Sequence, residues 1–194
     1  MAFLKSCANA VVRRRSFLLV FNLIYFSTIF VAALVASFLF PPPPNLSGSQ
    51  GVFGGFLYGD PVVTVVLVFL NNLVLSAFIV VTLTGLVFFP LSVVALSVRA
   101  VIWGLLVYPL PGWAFLAALP TLVLEGEAYV FAGVAGTALG LSWFKPRWAY
   151  REESGLSRWD SLKRAFGEFK RMYFFVVLLL FVGAMVETLA IAYF

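Results

Sequence analysis

Four ionisable side chains, Arg99, Glu125, Glu127 and Glu187, fall inside stretches that otherwise read as hydrocarbon. A charge at bilayer depth costs at least ~2.5–3.5 kcal/mol and persists only where it is paired, hydrated or used. Carboxylates in such a place can bind a proton or a cation, or can fix how helices pack through hydrogen bonds and an arginine partner. Asn71 and Asn72, in another apolar run, add polar groups of the kind that hydrogen-bond between membrane helices. The other familiar chemistries have no residues to carry them. The chain contains no histidine and one cysteine, Cys7, so it offers neither a Cys/His zinc set, nor an internal disulfide, nor a Cys-His nucleophile. The expectation is a non-enzymatic protein without metal or cofactor.

The elements that must position these groups are membrane helices. Of the 194 residues, 63% are hydrophobic and 11% charged, a balance outside the range of soluble domains. The net charge of +5 sits in basic residues beside the apolar spans, which suits topology and anionic lipid better than nucleic acid. Ser16 to Phe40 is an uncharged run long enough to cross with tilt, and the tetraproline Pro41–Pro44 stops it. A Gly/Ser-rich loop follows to Pro61. The apolar block from Pro61 to Phe144 carries only Arg99, Glu125 and Glu127 as charges. Helix breakers divide it near Gly85–Pro90 and at Pro109, Pro111 and Gly112, with Pro120 expected to kink or interrupt the helix after them. The reading is an all-α, single-domain membrane bundle with spans near 16–40, 62–86, 89–109, 113–142 and 172–194.

Lys5 and Arg13–Arg15 place the N-terminus in the cytoplasm, and the segment from Lys145 to Arg171 carries eight basic residues against four acidic ones. Five spans keep both inside and leave the external loop without lysine or arginine. Arg14-Arg15-Ser16-Phe17-Leu18 has the look of a twin-arginine export signal, but the apolar run behind it is much longer than a signal core, so a retained first helix is expected. Residues 156–171 alternate apolar and basic positions at helical spacing and are expected to form an amphipathic helix on the inner leaflet.

The run from Pro120 to Gly140 sets Ala128, Ala132, Gly136 and Gly140 at every fourth position, with Gly133 beside them, so that one helix face is nearly free of side chains. Glu125 borders this groove, whereas Glu127 points about 200° away at ~100° per residue. Close packing against another helix of the same chain is the expected use of the groove. This run resembles the signature of the stage II sporulation protein M family in Pro120, Glu125, Ala128, Gly133, Gly136 and Gly140. Phe69-Leu70-Asn71-Asn72-Leu73 is similar to that family's paired-asparagine segment, and Ala184-Met185-Val186-Glu187 to its last-helix motif. Thr121 and Leu122 stand where the family has His and Gly, and Arg99-Ala100 where Asn-Gly is common.

The resemblance implies a polytopic protein without catalysis of its own. In spore-forming bacteria such proteins act as membrane scaffolds for cell-wall hydrolases. Two functions stay open on the residues: a scaffold or assembly subunit, alone as a homo-oligomer or with other membrane proteins, and a conduit in which Glu125 and Glu187 handle protons, cations or a small solute. Depth counting places Arg99, Glu125 and Glu187 at similar levels and predicts that Arg99 pairs with one of the two carboxylates. The topology has a direct test. A single cysteine at position 155 should resist impermeant thiol reagents applied to intact cells and react after permeabilisation; labelling from outside would overturn the five-span arrangement, since only an even number of spans before that position leaves it cytoplasmic.

Overall fold

The computed structural model describes residues 2–40, 60–150 and 155–193. The described residues are helical, in the order α1 (Ala2–Arg13), α2 (Arg15–Leu39), α3 (Pro61–Val87), α4 (Leu91–Val107), α5 (Gly112–Phe144), α6 (Pro146–Ala149) and α7 (Arg158–Tyr193). By length and apolarity α2, α3, α5 and α7 are long enough to cross a membrane, and α4 is a shorter apolar helix of 17 residues. The tetraproline and the loop after it, up to residue 59, lie outside the described residues. Asp60 closes that loop by capping α3. Its carboxylate accepts from the Val62 amide at 2.7 Å, and Pro61 takes the first helical position, where no amide partner is needed.

The helices alternate in direction. The Tyr108 hydroxyl donates to the Phe40 carbonyl, so the ends of α2 and α4 meet at one face of the bundle. At the opposite face Phe88 packs on Phe144, and Arg14 donates to the Ala149 carbonyl at 3.1 Å. The turns fall where the breakers stand, Phe88–Pro90 between α3 and α4, and Tyr108–Pro111 between α4 and α5.

α5 is the central helix, sharing its largest contact with α7, while α2 packs mainly on α4. The small-residue face explains how α5 can touch so many neighbours. Ala128, Ala132, Gly133, Gly136 and Gly140 are all buried. A Cβ on Gly136 would sit 2.7 Å from the Thr82 carbonyl oxygen, and one on Gly140 would collide with the Gly85 carbonyl. The groove therefore seats the backbone of α3 within the same chain, as the spacing predicts.

α3 reaches that groove in a form that propensity does not reveal. Residues Asn71–Leu83 are a π-helix 13 residues long, against the single turns in which this form is usually seen. Its buried residues are Asn72, Ser76, Ala77, Val81 and Thr82. Steps of five residues rotate by about 140° beyond a full turn in an α-helix and would scatter these side chains. The wider i→i+5 turn keeps Asn72 and Thr82 on the side that meets α5. There Asn72 bonds to Glu125, and the Thr82 hydroxyl donates to the Ala132 carbonyl at 3.1 Å.

The structure corrects one expectation and refines the reading at two further places. Pro120, expected to kink or interrupt its helix, lies inside the continuous α5 without interrupting it. The carbonyl it leaves without a partner belongs to the exposed turn at Leu116, and membrane helices accommodate such a loss through their surroundings. Residues 158–171 do not form a separate helix lying on the leaflet but run straight into the last span as one helix of 36 residues. The reason is their buried face: Ser161, Ala165, Glu168 and Met172 are covered, so this stretch packs as the bundle does. Finally, Ala2–Arg13 is helical and lies against α7 through the buried Cys7 and Ala10 and an edge contact of Phe3 on Phe174.

The groove yields a paired test. Gly136→Ala should overpack the α3–α5 contact and lower stability by roughly 1–3 kcal/mol. Gly167→Ala, on α7 where an added Cβ meets nothing within 4 Å, should raise it by roughly 0.5–1 kcal/mol. Thermal melting of the purified protein in detergent reads both; equal melting of the two variants would mean that the groove is not tightly seated.

Candidate functional site: a buried arginine–glutamate ring

Arg99 on α4, Asn72 on α3, and Glu125 and Tyr129 on α5 converge in the middle of the bundle. Arg99 donates through Nη2 to Asn72 Oδ1 at 3.2 Å and to the Tyr129 hydroxyl at 2.8 Å. Asn72 Nδ2 in turn donates to Glu125 Oε1 at 2.5 Å, and the Tyr129 hydroxyl to Glu125 Oε2 at 3.4 Å. The direct ion pair, Arg99 Nη2 to Glu125 Oε2, spans 4.0 Å. The result is a closed ring in which Asn72 and Tyr129 each accept from the arginine and donate to the carboxylate. Such a relay demands groups that are donor and acceptor at once, which an amide and a phenol are. The Arg99 guanidinium also lies 4.8 Å from the centre of the Tyr129 ring.

The local sequence makes this geometry. Glu125 and Tyr129 are one turn apart on α5 and so share a face. Gly126 between them lets Tyr25 of α2 approach, since a Cβ there would fall 2.8 Å from its ring. Gly183 of α7 rests on the Glu125 side chain, with a virtual Cβ 3.4 Å from Cγ. Glu125 is 2% exposed, and both of its oxygens are engaged by the ring.

A pair at this separation is worth about 4 kcal/mol at an effective dielectric constant near 20. That is similar to the cost of holding one of the two charges at depth, not both. The hydrogen bonds from Asn72, Arg99 and Tyr129, at ~0.6–2 kcal/mol each, make up the difference. The ring is therefore held together as a unit, and no single contact in it suffices.

Arg99 and Glu125, set at one depth by residue counting with Glu187 as the other candidate, meet at this site, and Asn72, expected only to bond to some neighbouring helix, joins them. Asn71 is exposed and outside it, as the ~100° rotation between neighbouring residues requires. Glu127 points the other way and accepts from Asn22 Nδ2 on α2 at 3.4 Å. Glu187, one turn beyond Gly183 on α7, is partly buried, and among the described residues no group hydrogen-bonds or ion-pairs with it. Tyr129 and Tyr25 were not legible as site residues, because in an aromatic-rich chain a tyrosine reads as packing. Tyr25 is fully buried, and among the described residues its hydroxyl has no hydrogen-bond partner.

A second polar cluster lies at the end of the bundle where α1 meets α2. Glu168 of α7, 2% exposed, takes Arg13 at 2.7 Å on one oxygen and Arg14 at 2.8 Å on the other. Arg14 is itself buried and lies over the Tyr150 ring at 5.0 Å, with Arg164 over the same ring at 4.7 Å. Burial, with Glu168 nearby, pushes the Tyr150 hydroxyl up to about 12, so it stays neutral as a stacking platform. The arginines expected merely to mark topology thus also clamp the start of α2 to α7. No group of three or more metal-ligating side chains occurs among the described residues.

Compared with known proteins, residues 16–190 match the family described as Stage II sporulation protein M. Neither the curated proteins nor the solved structures provide a match.

The paired asparagines separate site from surface. Asn72→Ala should lower stability by ~0.6–2 kcal/mol or more, as it opens the ring, and Asn71→Ala should leave melting unchanged. Equal effects of the two substitutions would dissolve the ring as an energetic unit.

Proposed function

The chain belongs to the stage II sporulation protein M family, and from that premise we propose that it is a non-enzymatic membrane scaffold or assembly subunit whose Arg99–Glu125 ring fixes the arrangement of its helices. The observation that carries this reading is that both Glu125 oxygens are engaged within the chain. Oε1 accepts from Asn72 and Oε2 from Tyr129, Arg99 stands 4.0 Å from Oε2, and the side chain is buried, so the carboxylate is held by its own helices. A rigid bundle of this kind presents fixed surfaces to other copies or to other membrane proteins. The N-terminus lies in the cytoplasm in this reading, because Arg13, Arg14, Lys145 and Arg147 gather at one end of the bundle.

One observation favours a second reading, a conduit for protons, cations or a small solute. Glu187 has no hydrogen-bonding or ion-pairing side chain among the described residues and stands one turn from the glycine that rests on Glu125. It also stands within electrostatic reach of Arg99 and Glu125, and an ionisable side chain inside a membrane span is by default a candidate for a proton or ion path.

Proteoliposomes distinguish the two. For a scaffold, proton and monovalent-cation flux stays at the level of empty vesicles, Glu125→Gln loses stability or assembly, and Glu187→Gln behaves as the parent protein. A pH-dependent flux that Glu187→Gln alters while the protein stays folded would replace the scaffold with the conduit.

A further inference from the structure

An apolar cleft of about 500 Å³ opens between α3, α5 and α7 at the same end of the bundle as the Arg14–Glu168 clamp. Its floor is Phe78, Leu83, Leu86, Leu139 and Phe169, and its rim carries Trp159, Lys163 and Phe166 of α7. The size falls within the ~300–1,000 Å³ typical of clefts that hold small molecules. The lining is apolar except for the Thr82 hydroxyl, the Trp159 indole N–H and one charge, the ammonium of Lys163, and it contains no acidic side chain. The Thr82 hydroxyl is itself engaged by Tyr173 at 2.6 Å.

Depth along α7 decides what such a cleft can hold. Glu168 pairs with Arg14 at the start of α2, which marks the boundary of the apolar layer. Lys163 lies five residues, about 7.5 Å, outward from Glu168, and Phe169 lies inward of it. The cation therefore stands at headgroup level, above a slot that descends into the hydrocarbon. Trp159 and Phe166, 60% and 49% exposed, flank it, and a tryptophan, apolar with one N–H, favours the membrane–water interface. Lys163 lies 5.5 Å from the Trp159 ring, which holds the ammonium at the rim.

We propose that this cleft is a binding site for an anionic phospholipid, one acyl chain lying between α3 and α7 and the phosphate seated on Lys163. The charge complementarity, the absence of acidic lining and the continuity of the slot with the bilayer all select that occupant over an apolar segment of protein, which would leave the lysine facing hydrocarbon. The site holds whichever function the Arg99–Glu125 ring serves.

The test is native mass spectrometry of the purified chain in detergent with dioleoylphosphatidylglycerol or dioleoylphosphatidylcholine. The parent protein should retain phosphatidylglycerol about fivefold more tightly than phosphatidylcholine, the increment expected from one lysine near the surface. Lys163→Ala should erase that preference and Lys163→Arg should keep it. Leu86→Trp should fill the slot and reduce retention of both lipids. The exposed position 163 carries the test should the filled variant fail to fold. Equal retention of the two lipids, or a preference that survives Lys163→Ala, would overturn the proposal. So would a dimer that Leu86→Trp converts to monomer with lipid retention unchanged, since a second copy would then be the occupant.

Discussion

A charge placed in hydrocarbon must be neutralised from within the protein, and Arg99 imposes that constraint on most of this bundle. Its guanidinium, on α4, can reach a carboxylate only if α5 presents Glu125 at the same depth, and the 4.0 Å gap that remains is bridged by Asn72 and Tyr129. Three helices are thereby held in one register. α7 meets the same site through Gly183, where an added Cβ would lie 3.4 Å from Glu125 Cγ, so the two helices are in contact there. The π-helical stretch of α3 begins at the very asparagine pair that supplies Asn72. Its wide turn keeps Asn72 and Thr82 on α5 together, at the expense of an unusual backbone.

Around that ring the energetics are those of close packing. Lipid offers helices no hydrophobic reward for associating, so contact area must come from backbones brought near each other. Gly136 and Gly140 on α5 and Gly85 on α3 do this at one end, and Gly104 of α4 does it against Ile29 and Ala32 of α2. The Arg14–Glu168 clamp secures the remaining seam, tying α2 to α7 through side chains buried to 4% and 2% exposure. The cleft beside Lys163 lies just outside this clamp, where packing gives way to the bilayer.

Much of this was legible in the sequence. Hydropathy located the long spans, proline and glycine located the turns, and the four-residue spacing of small residues located the face of α5 that meets a neighbour. Depth counting set Arg99 level with Glu125, because both sit a known number of residues from the turn at Pro109–Gly112, but it left Glu187 as an equal candidate for the arginine. Rotation was harder to read. In α3 the π-helical turn alters which residues share a face, and no propensity signals it. The helix Ala2–Arg13 was not legible since its short apolar side, Cys7 and Ala10, is covered only when the helix lies on the bundle, where α7 is its main neighbour. The separate leaflet helix at 156–171 was a misreading of genuine amphipathicity, in which the covered side faces protein and includes a glutamate. Glu168 looks like a solvated charge until Arg13 and Arg14, 155 and 154 residues distant in the chain, are brought to it.

The central claim is that Arg99 and Glu125 act as one unit that organises the bundle, and a double-mutant cycle on that pair measures it most directly. Arg99→Met and Glu125→Gln should each lower the melting temperature in detergent, because each leaves a buried polar partner unmatched. The double variant should be markedly more stable than the sum of the two losses, with a coupling on the order of 1–3 kcal/mol. Strictly additive losses would mean that the two side chains are neighbours without a shared constraint, and would contradict the account.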